Sequence, residues 1–322
     1  MTLLALCARP TPIALLLAFA VMALIPLARN PELNGYFLTL LDLMLLTYSL
    51  NMVVGFSGYL SFGHIVFWGL GGYTAGMLVT TIGRAIAGEL TFSPYLLVPL
   101  GGLVASAFAA VIAYPILRIR GAYFAIATFS VNLAVQTIFF NVPVFGGAEG
   151  LPLKRFMSYQ IVPAFYWLLA FGLLAFLSSY LILRIKLGYG LLAILNDEDV
   201  AQTMGVNTTL YKILIYIIAA FFAGAGGAVW ALAQVFVDPE NFGITRSIEM
   251  FVAMLLGGVG TTLGPFIGAF IYFAIKDLLI IRFPHLHLVF FGGIIMIIVL
   301  FVPGGLVGAL RQHVPGLRRI LE

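Results

Sequence analysis

Charge is what this chain has least of. Only 9% of its 322 residues are Asp, Glu, Lys or Arg, against 62% hydrophobic, which excludes an ordinary soluble domain, where apolar residues make up nearer half. Cys7 is the single cysteine, so the chain holds no disulfide framework and no thiolate metal site. The four histidines are scattered, and the one close pair, His285 and His287, lacks further ligands for a metal. No paired acids, Ser/His set or histidine cluster marks a reaction centre, so no catalytic and no metal-binding residue is assigned. A G-x-x-x-x-G-K-[ST] loop is missing as well, and with it that route to ATP hydrolysis. Basic runs go no further than Arg318–Arg319, and a net charge of +4 suits loops beside anionic lipid better than nucleic acid.

What fills the chain instead is a series of uncharged stretches of about 17–25 residues, the length that crosses a hydrocarbon core as a helix. Runs such as "IIMIIVLFVP" do not alternate, as the strands of a membrane barrel would. The expected class is all-α and polytopic. Punctuation by charge, Pro and Gly predicts about ten spans: 12–28, 36–55, 59–82, 94–117, 121–141, 162–183, 209–234, 246–260, 263–281 and 287–305. The first follows Arg9 and is expected to be an uncleaved helix. Residues 246–260 are short for a crossing and fit a half-helix, which would make the count eight plus half-helices.

An even count puts both termini on one side. Of the 16 Lys and Arg, nine fall on that side and seven, including Arg246 and Lys276, in the opposite loops, so both termini and the 184–210 insert are expected in the cytoplasm. "GFSGYLSFGHIVFWG" (Gly55–Gly69) is echoed by "GGVGTTLGPFIGAF" (Gly257–Phe270), which marks Gly55, Gly58, Gly63, Gly257, Gly260 and Gly264 as helix-break positions.

The insert is the one acidic place. In "LNDEDVAQTMGVNTT" three acids stand together between apolar spans. Asn196 can cap a helix with Asp199 as its reciprocal partner, Asp197–Asp199 suit the positive end of the helix dipole, and Gly205 is a natural left-handed stop. A helix of roughly two turns is too short to stand alone and must pack on something. Interfacial helices carry Lys and Arg on the polar face, so three acids point instead to docking on another protein.

Five ordered motifs carry a family resemblance. "NMVVGFSGYLSFGHIVFWGLGGYTAG" (Asn51–Gly76), "RIRGAYFAIATFS" (Arg118–Ser130), "GGAEGLP" (Gly146–Pro152), "GVNTTLYK" (Gly205–Lys212) and "LLGGVGTTLGPFIGA" (Leu255–Ala269) resemble the permease subunits of branched-chain amino-acid (Liv-type) ABC importers. The resemblance runs from about Leu38 to Pro303 and implies one transmembrane permease domain, 1–322, in a bacterial inner membrane. It implies that 184–210 is a coupling insert whose Asn196, Asp197, Glu198, Ala201, Met204 and Gly205 dock an ATPase. It also implies that this chain binds no cofactor, with ATP held by two partner ATP-binding subunits. A second homologous permease and a periplasmic solute-binding protein complete the implied set, beside the bilayer and without nucleic acid. The chain departs from the family where Arg is frequent, at Tyr189, Leu192 and Leu195, and where an acid precedes Asp197, at Asn196; Glu198 is retained.

Polar groups inside the membrane are candidates for the translocation path: Asn51, His64, Asn132, Gln136 and Glu249. Each has a plainer reading. His64 can be a packed histidine, and Asn132 and Gln136, four apart on one face, can bond a neighbouring helix. Asp42 and Glu249 are expected in water near the outer interface, and Gly69, Gly72 and Gly76 allow close packing. The family's charged pair near Leu133 and Gln136 is uncharged here, which implies a weakly selective, mostly neutral passage. A self-sufficient secondary transporter or channel built on broken helices also fits the glycines, and a scaffold subunit fits the docking; only the importer accounts for both.

Overall fold

The structure is a computed structural model describing residues 10–86, 88 and 92–282, together with 292, 293, 296 and 305. Eleven α-helices occur among the described residues: α1 (Pro10–Ala23), α2 (Pro31–Ser57), α3 (Ile65–Ala85), α4 (Val98–Ile116), α5 (Ala122–Asn141), α6 (Ile161–Ile182), α7 (Lys186–Asn196), α8 (Glu198–Thr203), α9 (Thr208–Gln234), α10 (Ile244–Gly257) and α11 (Gly264–Arg282). Among the described residues six spans are long and apolar enough to cross a membrane: α2, α3, α4 with its leading turn (Pro94–Ile116), α5, α6 and α9. The chain is a multi-pass all-α membrane protein.

α2 is the central post. Asn30 accepts from the backbone N–H of Glu32 and Leu33, and Pro31 opens the first turn, where its missing N–H costs nothing. From Leu40 to Ser57 every residue is buried, so this helix has no lipid face. It packs against α6, α9, α10 and α11. Its end is set by Gly58 at φ 75°, a left-handed stop that glycine adopts without strain.

α3, α4 and α9 pack at backbone distance. A methyl group added at Gly71 would fall 1.9 Å from the carbonyl oxygen of Gly224, and one at Gly227 would fall 1.8 Å from that of Trp68. Hydrocarbon gives no drive for helices to associate, so such small-residue seams, which let backbones touch, supply it. Gly69, Gly72 and Gly76 take part as the sequence indicates, facing Phe242, the Gly227 carbonyl and Val237.

Two stretches of irregular backbone enter the bundle. Residues 58–64 run from the end of α2 back to His64 before α3 begins, so the span expected at 59–82 starts at Ile65. Residues 235–243 leave α9 and bring the turn Pro239–Phe242 against α3 and α5. Such backbone is tolerated at membrane depth only where protein or water satisfies it. Asn132 donates to the Phe242 carbonyl at 2.8 Å and Gln136 to that of Pro239 at 3.2 Å. The same side chains were candidates for the path; they hold this turn.

The echoed glycine motifs touch. Asn51, fully buried, donates from Nδ2 to the Thr261 carbonyl and accepts from the Gly260 N–H. A methyl on Gly55 would lie 2.6 Å from Gly260 N. Gly55 therefore sits within α2 as a contact point and not a break, and Gly257 is the last residue of α10. The break itself is 258–263, where Gly258 (φ 121°) and Gly260 (φ 75°) take conformations foreign to other residues. The half-helix expected near 246–260 is α10, 14 residues long.

At the end opposite the insert, β1 (Leu151–Pro152) and β2 (Phe236–Val237) form an antiparallel pair that the sequence did not announce. The span expected at 287–305, His285, His287 and both chain termini lie outside the described stretches.

Candidate functional site

Two polar clusters stand out. The first anchors the insert. It holds two helices: α7 precedes the acidic α8, and the pattern of the sequence had disclosed only the second. Asp197, not Asn196, caps α8, accepting from the N–H groups of Asp199 and Val200. Asn196 is the last residue of α7 and donates instead to the Leu192 carbonyl. Asp199 makes no capping box; it pairs with Arg120 of the α4–α5 loop at 2.8 Å. Gly205 takes φ 85° just past α8, as expected of a stop.

Glu198 turns inward. Lys212 Nζ, on the first turns of α9, donates to Glu198 Oε1 at 2.7 Å, to the Tyr59 hydroxyl at 2.9 Å and to the Leu117 carbonyl at 3.2 Å. Tyr59 donates to Glu198 Oε2 at 2.5 Å, and Arg120 Nη2 stands 3.7 Å from Oε1. Burial opposes ionisation of Glu198, but Lys212, Tyr59 and Arg120 outweigh it and hold the carboxyl below its ordinary value. Burial and the bond to Glu198 push the Tyr59 hydroxyl up, so it stays a donor. One carboxylate thus joins the end of α2, the α4–α5 loop, the insert and α9.

The surface of the insert mixes acids and amides with large apolar side chains. Tyr189 and Leu195 on α7, Val200 on α8 and Met204 just after it are exposed, Met204 to 80%. Ala201 is buried beneath them. Of the residues assigned to docking, Asn196, Asp197, Met204 and Gly205 are at the surface, while Glu198 and Ala201 face the protein's own interior. Leu195 also reaches the α2 terminus: a methyl on Gly58 would lie 2.9 Å from its Cδ1.

The second cluster lies within the membrane-spanning bundle. Asp42 is fully buried on α2, where it accepts from Trp68 Nε1 at 3.0 Å and pairs with Arg246 Nη1 at 2.9 Å. The Arg246 guanidinium lies over the rings of Trp230 and Trp68, 4.5 and 5.0 Å from their centres. One turn along α10, Glu249 pairs with Lys276 of α11 at 2.5 Å. Asp42 and Glu249 are therefore not solvated at an interface, and Arg246 and Lys276 are not loop cations. A charge in a low-dielectric interior persists only when paired, and these four pair with one another. His64 is fully buried, with Nε2 2.7 Å from Ser49 Oγ, whose own proton goes to the Ala219 carbonyl, so it is a packed histidine between α2 and α9.

Sequence reasoning missed Arg246, Lys276, Trp68 and Trp230. A signal for the two bases was present: Asp42 and Glu249 each need a cation if buried, but Arg246 and Lys276 had been placed in loops. No group of His, Cys, Asp or Glu among the described residues is placed to hold a metal.

Comparisons with known proteins bear on both clusters. Residues 33–300 match the family model described as branched-chain amino acid transport system, permease component. The chain is similar to the high-affinity branched-chain amino acid transport system permease protein LivM of Salmonella typhimurium, 28% identical over 301 residues, which cover 84% of this chain and 68% of the relative. LivM of Escherichia coli is 27% identical over the same share. The autoinducer 2 import system permease protein LsrC of Klebsiella pneumoniae is 31% identical over 180 residues, 51% of this chain and 50% of its own length. No solved structure matches.

Proposed function

The chain belongs to the family of branched-chain amino-acid transport system permease components, and on that premise we propose that it is one of two permease subunits of an ATP-driven importer in a bacterial inner membrane. It forms part of the solute path and docks one of two ATPase subunits through α7 and α8. The solute is a branched-chain amino acid or a related small polar molecule, delivered by a periplasmic binding protein. The family is one of transport permeases and not of enzymes, and ATP hydrolysis falls to the partners.

The observation that carries this reading is the two-sided build of the insert. Its outer side offers Tyr189, Leu195, Val200 and Met204 to a partner, apolar anchors of the kind that fill pockets in protein interfaces. Its inner side is held to α9, the α4–α5 loop and the end of α2 by Glu198 with Lys212, Arg120 and Tyr59. A push on the outer side is thereby passed to several helices at once. An insert that merely covered the bilayer surface would need no such anchorage.

Co-purification with candidate ATPase subunits tests it. Val200→Glu with Met204→Glu, both outward, is expected to release the ATPase while leaving the permease folded. If that variant retains the ATPase as well as wild type does, α8 is not the docking element. Glu198→Lys is the contrasting variant: it reverses the anchor and is expected to loosen the insert itself.

A further inference from the structure

We propose that Arg246 is a station on the solute path that receives a carboxylate. The proposal rests on the importer reading only for the identity of the solute. Arginine carries five N–H donors in a planar fork, and among the described residues Arg246 spends one of them, on Asp42. Trp230 and Trp68 stand beside it, their ring centres 4.5 and 5.0 Å from the guanidinium carbon. The side chain remains 23% exposed while its acid partner is 0% exposed. Part of the fork is therefore left uncovered by the protein.

Depth decides what they open onto. Asp42 stands eleven residues into α2 from Pro31, about 16 Å along the axis at 1.5 Å per residue. A charged fork that far along a membrane-spanning helix faces water or the bundle interior, not hydrocarbon. On this proposal the exposed edge of Arg246 is a water-reachable point inside the bundle. The paired guanidinium is a bidentate match for a carboxylate, and Trp230, half-buried beside it, offers an apolar wall to an aliphatic side chain.

The neighbouring pair repeats the asymmetry. Glu249 is 14% exposed and its partner Lys276 33%, so in both pairs the acid is withdrawn and the base is nearer the water. The solute-facing side is positive while the cluster as a whole is neutral. A carboxylate is attracted and then released, since Asp42 competes for the same guanidinium. On this proposal the passage carries charge at this point, where the family resemblance implied a mostly neutral one.

Two arms test the station. In the first, the full chain alone in lipid nanodiscs is labelled with phenylglyoxal, a water-borne arginine reagent, and read by peptide mass. Modification of Arg246 is expected, slowed by L-leucine and not by L-leucinamide, which lacks the carboxylate. An unreactive Arg246, or equal protection by the amide, overturns the proposal. In the second, the importer in proteoliposomes carries Asp42→Asn with Arg246→Gln, a neutral pair that avoids stranding a buried charge. ATPase binding is expected to persist while L-leucine uptake falls about tenfold or more, the worth of a lost charge-assisted pair. Uptake equal to wild type overturns the station. Protection in nanodiscs with no ATP-driven uptake by wild type overturns the importer reading and leaves the station standing.

Discussion

The two ion-pair clusters use the same residue types to opposite ends. At the insert the base is the buried partner: Lys212 is 3% exposed, and its acid Glu198 lies nearer the surface. In the membrane the acid is the buried partner, with Arg246 and Lys276 turned outward. Lys212 is saturated, giving its three donors to Glu198, Tyr59 and Leu117. Among the described residues Arg246 gives one of five. A saturated buried base is an anchor, whereas an unsaturated, partly exposed one has capacity left for a ligand. The difference teaches that pairing alone does not identify a functional charge; what counts is which member is withdrawn and how many donors remain.

Four measurements break or sharpen this contrast. The largest effect is expected from Arg246→Met, which leaves the Asp42 carboxylate fully buried and unpaired. Breaking such a pair costs about 3–5 kcal/mol, and thermal unfolding in detergent should show it, with the Asp42→Asn/Arg246→Gln pair recovering most of the loss. Next comes Lys212→Met. It takes one donor from each of Glu198, the Tyr59 hydroxyl and the Leu117 carbonyl, while Tyr59 still donates to Glu198, so about 1–3 kcal/mol is expected. Limited proteolysis should then cut the insert first, while the bundle resists. Equal losses in the two variants would erase the distinction between the clusters.

Acid sets the third. Glu198 is held below its ordinary value of 4.5, so its ionised form contributes stability that is present above that value and is lost as pH falls through the lowered one. Proteolytic sensitivity of the insert should be flat from neutral pH down to the ordinary carboxylate range and rise only below it. A rise well above that range would show that another group governs the anchor. The smallest effect belongs to Asp199→Asn. Asp199 and Arg120 form an exposed pair, with side chains 77% and 50% exposed, and pairs of that kind contribute about 0–1 kcal/mol. A larger loss would mean that Arg120 acts chiefly through Glu198.

Much of the fold was legible because membrane helices announce themselves. The runs behind α4, α5 and α6 carry no interior charge and that behind α9 only Lys212 near its start, and their bounds agree with expectation to within a few residues. Gly58 and Gly205 were readable as stops because each occupies a left-handed position that disfavours other residues. The start of α3 was legible only in part: Gly58 and Gly63 were marked as break positions, yet the span was expected from 59, and what keeps 59–64 irregular is contact. Gly63 abuts the Thr128 carbonyl of α5, and Ser247 of α10 donates to the Phe62 carbonyl. The capping residue of α8 was misjudged by one position because Asn196 and Asp197 have nearly equal capping preference, and α7 claims Asn196 first.

Composition and pattern by themselves determined that this chain lies in a membrane as helices, that its insert is acidic and helical, and which family it resembles. Each of these depends on local quantities: the length of an apolar run, the charge of a first turn, the order of short motifs. Only the tertiary structure decided that Glu198 faces inward, that Asn51 and Asn132 hold irregular backbone, and that Asp42 belongs with Arg246, 204 residues away in the chain. The reason is physical. A charge in a low-dielectric interior takes whichever partner the packing brings within reach, and that choice is made by helices meeting across the bundle, which no local pattern records.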